Sequence, residues 1–283
     1  MTGAQRAIGG ALSLGECAPI EPDDLIGLLP VPVAISHKKA GEQVLLPAEE
    51  SSTIICIISG WAFSYRLFDD GRRQIINLHL PGNLIGLSTV TRDVSAWGCE
   101  AVTDLTYISL CRDAVMAQVR LRPDLALRIV AEAVRGEILL RERLADVARR
   151  SARKRVANFL FELYCRSQSV ADFAGGQAAS IPLTQDKIAD AVGLTPIHVS
   201  RTLREFKLAG ITRYLGHDLQ IVDPEQLRRI STFDDAYVQW LKQPSFSVRS
   251  ASKAGAGGQA APAGVAASVL SAQRFDASQS GLR

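Results

Sequence analysis

The chain has 283 residues, 47% of them hydrophobic and 22% charged, the composition of an ordinary soluble chain with room for one or two globular domains and a sizeable core. Its net charge of +3 is unevenly divided: after residue 240 Lys242, Arg249, Lys253, Arg274 and Arg283 face one acid, Asp276, so that segment carries +4 and the remainder −1. Overall charge therefore does not locate a nucleic-acid surface. The cysteines, Cys17, Cys56, Cys99, Cys111 and Cys165, are odd in number with no close-spaced pair, which argues against a disulfide framework. No basic start leads into an apolar run and no stretch approaches the length of a membrane span, so a cytoplasmic location without a membrane partner is expected.

Residues 1–22, rich in Gly and Ala, read as a flexible N-terminus. Residues 23–122 read as a strand-rich domain. Val44–Leu46, Thr53–Ser59, Trp61–Phe68, Arg73–Leu80 and Thr106–Leu110 are rich in β-branched and aromatic residues, and Gly41, Ser59-Gly60, Asp69-Asp70-Gly71 and Pro81-Gly82 supply turns between them. Short strands at near-regular spacing predict an antiparallel β-roll or jelly-roll, which could hold a ligand or only a packed interior.

Residues 123–149 predict one long helix. Pro123 suits its first turn, and Leu127, Val130, Val134, Ile138, Ala145 and Ala148 form an apolar stripe interrupted by Arg141. Such a stripe needs a partner, either the roll of its own chain or the same helix of a second chain. The basic run Arg149–Arg155 marks a junction that can approach phosphates, and Ser151 can cap a following helix that buries Val156, Phe159, Leu160 and Leu163.

The segment 150–242 carries the most specific signal. Thr184 caps a helix from Gln185 whose Ile188, Ala189 and Val192 recur at helical spacing, and Gly193 stops it. Thr195-Pro196 then starts a second helix to about Ala209 that buries Val199, Leu203 and Phe206. Its remaining positions, Ile197, His198, Ser200, Arg201, Arg204 and Lys207, are mostly polar and basic. The early ones can make base-edge contacts and the later ones phosphate contacts, with Thr184, Gln185 and Thr195 at the two helix starts alongside them. Ile211–Tyr214 and Leu219–Val222 around Leu215-Gly216-His217-Asp218 form a wing, and Asp223-Pro224-Glu225-Gln226 opens a last helix through Ile230. The segment 243–283, dominated by Ala, Gly, Ser and Gln, reads as a disordered tail.

The run Leu183–Thr195 followed by Val199-Ser200-Arg201-Thr202-Leu203 resembles the helix-turn-helix of the Crp/Fnr family of bacterial transcription regulators. Gly41, Gly60, Asp70-Gly71-Arg72 and Pro81–Gly86 resemble that family's sensory domain, so the similarity covers residues 25 to 230. The resemblance implies an α+β chain: an N-terminal β-roll sensor (23–122), a dimerisation helix (123–149) using Leu127, Val130, Val134, Ile138 and Ala145, and a winged helix-turn-helix (150–242). It also implies double-stranded DNA, a second copy of the chain and RNA polymerase as partners. Two departures stand out. Leu87 and Ser88 follow Gly86 where nucleotide-binding members have an acid, and Ser95–Cys99 holds no cation for a phosphate, so cyclic AMP is not expected to bind. Ile197 stands where members commonly place a glutamate, which turns a hydrogen-bond acceptor for cytosine into an apolar contact suited to a thymine methyl.

With Cys17 alone near the start, a four-thiolate iron–sulfur cluster is not expected. Haem is left open, with neither His37 nor His79 assigned, and the effector stays unidentified. No catalytic triad order, metal-ligand spacing or phosphate-cradling glycine loop stands out, so no enzymatic activity is expected. The rival reading is a small-molecule-binding signalling module whose winged domain contacts protein.

Overall fold

A computed structural model describes residues 34–91, 93–95, 97–174, 180–215 and 218–242. The proposed flexible N-terminus, the tail from 243 onward, Cys17 and the wing tip Gly216-His217 lie outside the described residues.

Eight strands form the first region: β1 (Ala34–Lys38), β2 (Gln43–Leu45), β3 (Thr53–Ser59), β4 (Ala62–Leu67), β5 (Arg73–His79), β6 (Leu84–Ile85), β7 (Gly98–Ala101) and β8 (Leu105–Cys111). They make two four-stranded antiparallel sheets, ordered β1-β8-β3-β6 and β2-β7-β4-β5. Ile55, Ile57 and Tyr107 of the first sheet pack with Ala62, Cys99 and Ala101 of the second. On the outer face of the first sheet, Ile54, Cys56 and Ile108 pack with Val115 and Leu125 of the helices that follow. With both faces covered, β3 is an almost unbroken apolar run, Thr53-Ile54-Ile55-Cys56-Ile57-Ile58-Ser59, rather than an alternation.

Three strands of this region, β1, β6 and β7, escaped the sequence pattern. β7, Gly98-Cys99-Glu100-Ala101, has no β-branched residue, yet it is held in the sheet by β2 on one side and β4 on the other. The two-residue β6 follows Pro81-Gly82 and ends at Gly86, whose φ of +85° and approach to Thr53 O, 2.7 Å from where a Cβ would stand, leave no room for a side chain.

Helix α1 (Arg112–Leu121) leads to α2 (Pro123–Arg149), whose observed ends match the expected ones. At 27 residues α2 is about 40 Å long. The side it turns to its own chain buries Leu125, Leu139, Arg128 and Asp146, none of them in the expected stripe. The stripe stays open: Leu127 is 69% exposed and Val130 56%, Val134, Ala145 and Ala148 are exposed too, and Ile138 is half-buried.

The second region contains α3 (Ala152–Ala174), β9 (Ser180–Ile181), α4 (Gln185–Val192), α5 (Pro196–Leu208), β10 (Thr212–Leu215), β11 (Asp218–Ile221), α6 (Pro224–Ile230) and α7 (Asp235–Leu241). The small sheet has order β10-β11-β9. Val156, Leu160 and Leu163 of α3, Ile188 of α4, Val199, Leu203 and Phe206 of α5 and Leu219 of the wing share one core, and Phe63, Tyr65, Ile75 and Leu78 from the outer face of the second β-sheet belong to it. Helix α7, absent from the sequence reading, is capped by Asp234, which accepts from Tyr237 N at 2.7 Å, and buries Val238 and Leu241.

Two cations of the basic run at the α2–α3 junction, Arg150 and Arg155, are half-buried and bound within the protein. Arg155 donates to Arg150 O (2.9 Å) and Val147 O (2.7 Å), carbonyls that the end of α2 leaves without helical partners. Arg150 pairs with Asp146 (2.6 Å) and Glu142 (3.2 Å), and Arg153 faces Glu205 at 3.9 Å.

Candidate nucleic-acid interface and the cavity beside it

Two capped helices and a left-handed glycine build the exposed face. The Thr184 hydroxyl accepts from Lys187 N (3.3 Å), Gly193 closes α4 at φ 65°, and the Thr195 hydroxyl accepts from His198 N (3.4 Å) at the start of α5. Val199, Thr202, Leu203 and Phe206 fill the inner side of α5. Ile197, Arg201, Arg204 and Leu208, spaced by four, three and four, line the middle of its outer side, with Ser200 and Lys207 along one flank, all exposed. Ile197 is 73% exposed, an apolar side chain held in water by the helix that carries it.

Among the described residues Arg201, Arg204 and Lys207 have no protein partner, whereas every arginine of the α2–α3 junction except Arg149 has one. His198 is different: a ring nitrogen lies 2.9 Å from the Thr195 hydroxyl, which ties the imidazole to the helix start. Thr184 is exposed and Gln185 half-buried. The structure therefore leaves the expected residues exposed or half-buried along α5 and at the two helix starts. It adds Arg213, exposed on β10 and donating to Gln220 across the wing at 2.8 Å. Its position between buried Thr212 and half-buried Tyr214 is the alternation that could have flagged it.

A second feature lies between the second β-sheet and α2. A cavity of about 230 Å³ is lined by Ser64, Asn77, His79, Trp97, Glu132 and Arg135, among others. Beneath it is a buried ionic cluster that no local sequence signal announces. Glu162 accepts from Arg166 (2.9 Å) and Arg143 (3.2 Å), and Arg166 also donates to Leu78 O (2.6 Å). Burial pushes the Glu162 carboxyl up, but the two guanidiniums outweigh it and leave it below the usual carboxylate range. Burial raises Glu132, which accepts from Asn83 Nδ2 at 3.1 Å. His79, hydrogen-bonded to Ser64 Oγ at 2.7 Å, is lowered to about 3 by burial and by Arg166 and Arg143.

A model of the cyclic nucleotide-binding domain matches residues 36–120, and a model of the Crp-like helix-turn-helix domain matches 154–230. The transcriptional activatory protein AadR of Rhodopseudomonas palustris is 27% identical over 225 residues, 78% of this chain and 89% of its own. The nitrogen fixation regulation protein FixK of Rhizobium meliloti is 29% identical over 70% of this chain and 88% of its own. The chain belongs to the Crp/Fnr family. In fold, it is similar to FixK2 from Bradyrhizobium japonicum, with a TM-score of 0.63 at 23% identity over 72% of this chain and all of that one. Helices α2 and α7 lie outside both matched stretches.

Membership in Crp/Fnr makes this a DNA-binding transcription regulator with a helix-turn-helix, in preference to a module whose winged domain contacts protein. Leu87 and Ser88 follow Gly86, and the guanidiniums that line the cavity come from helices rather than the roll. Arg166 is bound to Glu162, and Arg135 lies in the fields of Glu132 and Glu162. No helix among the described residues is long and apolar enough to cross a membrane.

Proposed function

We propose that this Crp/Fnr protein acts in the cytoplasm as a homodimer that reads a two-fold symmetric DNA site, with no catalytic step of its own. In this reading residues 23–122 sense an unidentified signal, α2 pairs two copies, and 150–242 bind DNA. The observation that carries it is the outward face of α5, where exposed Arg201, Arg204 and Lys207 have no partner within the described chain. Arg201 makes a bidentate contact to guanine, Ile197 meets a thymine methyl, and Arg204 and Lys207 hold phosphates, with Ser200, His198, Thr195, Thr184 and Gln185 contacting the rim.

The exposed row Leu127, Val130 and Val134, continued by Ile138 and Ala145, supports pairing through α2, since a monomer would leave it in water. Two copies then present their α5 helices to half-sites about one helical turn apart. The name of AadR speaks of activation, which supports the same direction here and RNA polymerase as a further partner. The test is binding to palindromic and scrambled duplexes across a salt series, with sedimentation in parallel. A dimer that prefers the palindrome and loses affinity steeply with salt is expected. A protein-contact module would show no duplex preference.

A further inference from the structure

The winged domain is held by more than α3. Strand β5 begins Arg73-Gln74, and both side chains reach across to α4. Arg73 Nε donates to Asp190 Oδ2 and its Nη1 to Glu100 Oε2, each at 3.0 Å. The other oxygen of Glu100, on β7, lies 3.8 Å from Lys187 Nζ. Lys187 and Asp190 are three residues apart, so one face of α4 carries a cation and an anion opposite an anion and a cation on the sheet. Rotating or sliding the helix would bring like charges together.

Gln74 completes the contact. Its Nε2 donates to Asp190 O (2.6 Å) and Ala191 O (3.3 Å), carbonyls of the last turn of α4 that lack helical partners. Beneath the ion pairs is the Phe63 ring, 4.9 Å from the Arg73 guanidinium and 5.5 Å from the Lys187 ammonium. The charges are well shielded: Arg73 is 26% exposed, Lys187 19% and Glu100 13%, so water screens these pairs less than it does surface ones. Because α4 and α5 pack as one unit, fixing α4 against the roll fixes the direction in which α5 points.

We propose that Arg73, Gln74, Glu100, Lys187 and Asp190 form a positioning clasp that sets the separation of the two α5 helices in the dimer, and hence the half-site spacing the protein accepts. This rests on the DNA-binding dimer proposed above. None of the five contacts DNA in this assignment; they act through α4.

The test uses the full-length chain and duplexes carrying the half-site selected by the wild type, with the spacer at its preferred length and lengthened or shortened by one and two base pairs, plus a single half-site. Wild type should prefer one spacer by about tenfold over its neighbours, because the paired helices are rigidly spaced. In Arg73→Ala/Gln74→Ala the profile should flatten while affinity for the single half-site stays within about twofold of wild type, because the bases are still read by an intact α5. Arg73→Lys, which keeps the charge, should retain more of the spacer preference.

Circular dichroism checks the fold. If the double variant does not fold, Asp190→Asn, which leaves Arg73 on Glu100, carries the same test. An unchanged spacer profile in a folded variant overturns the proposal, as does an equal loss on every duplex including the single half-site. If wild type binds no duplex, the functional reading fails and this inference with it.

Discussion

Arginines at the α2–α3 junction and arginines on α5 serve opposite ends. At the junction, Arg143, Arg150, Arg155 and Arg166 are bound to carboxylates or helix-end carbonyls; on α5, Arg201 and Arg204 are exposed and without protein partners among the described residues. Within the denser basic run, Arg150 and Arg155 are therefore scaffold while Arg149 and Lys154 stay exposed without a protein partner among the described residues, and on α5 every arginine is left for phosphates and bases. What separates the two is the presence of acids and open carbonyls within reach, not the number of cations.

The largest expected effect comes from breaking the partnered side. Glu162→Ala would leave Arg143 and Arg166 facing each other without their shared acid, at a cost of about 3–5 kcal/mol in urea unfolding. Near-wild-type stability would mean that the junction arginines are not held as described. Helix α2 has the same two-sidedness, with charged side chains packed inward and an apolar row outward. Ile138→Glu should weaken dimerisation by about 3 kcal/mol, roughly two orders of magnitude, and DNA affinity with it. A variant that still sediments as a dimer and binds DNA unchanged would remove α2 as the interface.

A smaller effect follows from His79, kept neutral beside the junction arginines. The unfolded chain takes up a proton there below pH 6.5 that the folded chain refuses until about pH 3. The contribution to stability is therefore complete above pH 6.5 and falls as the pH drops through that window. In His79→Gln about 1.4 kcal/mol per pH unit of that slope should vanish between pH 6 and 4, read from urea unfolding; an unaltered slope would place the titration elsewhere. The smallest effect is none: with Arg166 bound to Glu162 and Arg135 beside Glu132, titrating cyclic AMP into the protein should give no saturable heat. Tight binding would show that these cations are free for a phosphate.

The helix-turn-helix and α2 were legible in the sequence because their signals are local. Thr184, Gly193, Thr195 and Pro196 sit at the ends they specify, and Pro123 opens a helix that runs to Arg149 as expected. Strand spans in the roll were right to within a residue or two where β-branched residues dominate, as in Thr53–Ser59. What was not legible depends on partners far along the chain. Glu100 lies on a strand made by its neighbours, Arg73 meets a helix more than a hundred residues away, and Glu162 gathers arginines from α2 and α3. The apolar stripe of α2 was readable, but the side of the helix packed on its own chain was not, because that side is lined by Arg128, Glu132, Arg135 and Asp146 rather than by an apolar row.

The central claim, that α5 reads bases with its unpartnered cations, is tested most directly by selecting bound sequences from a random duplex library with wild type, Arg201→Ala and Lys207→Ala. Wild type should yield two symmetric half-sites, each with a guanine at one position. Arg201→Ala should lose about 1–3 kcal/mol and the preference for that guanine, while Lys207→Ala should weaken all sequences evenly and lower the salt slope by about one. An Arg201→Ala protein that selects the same sequences as wild type would contradict the account.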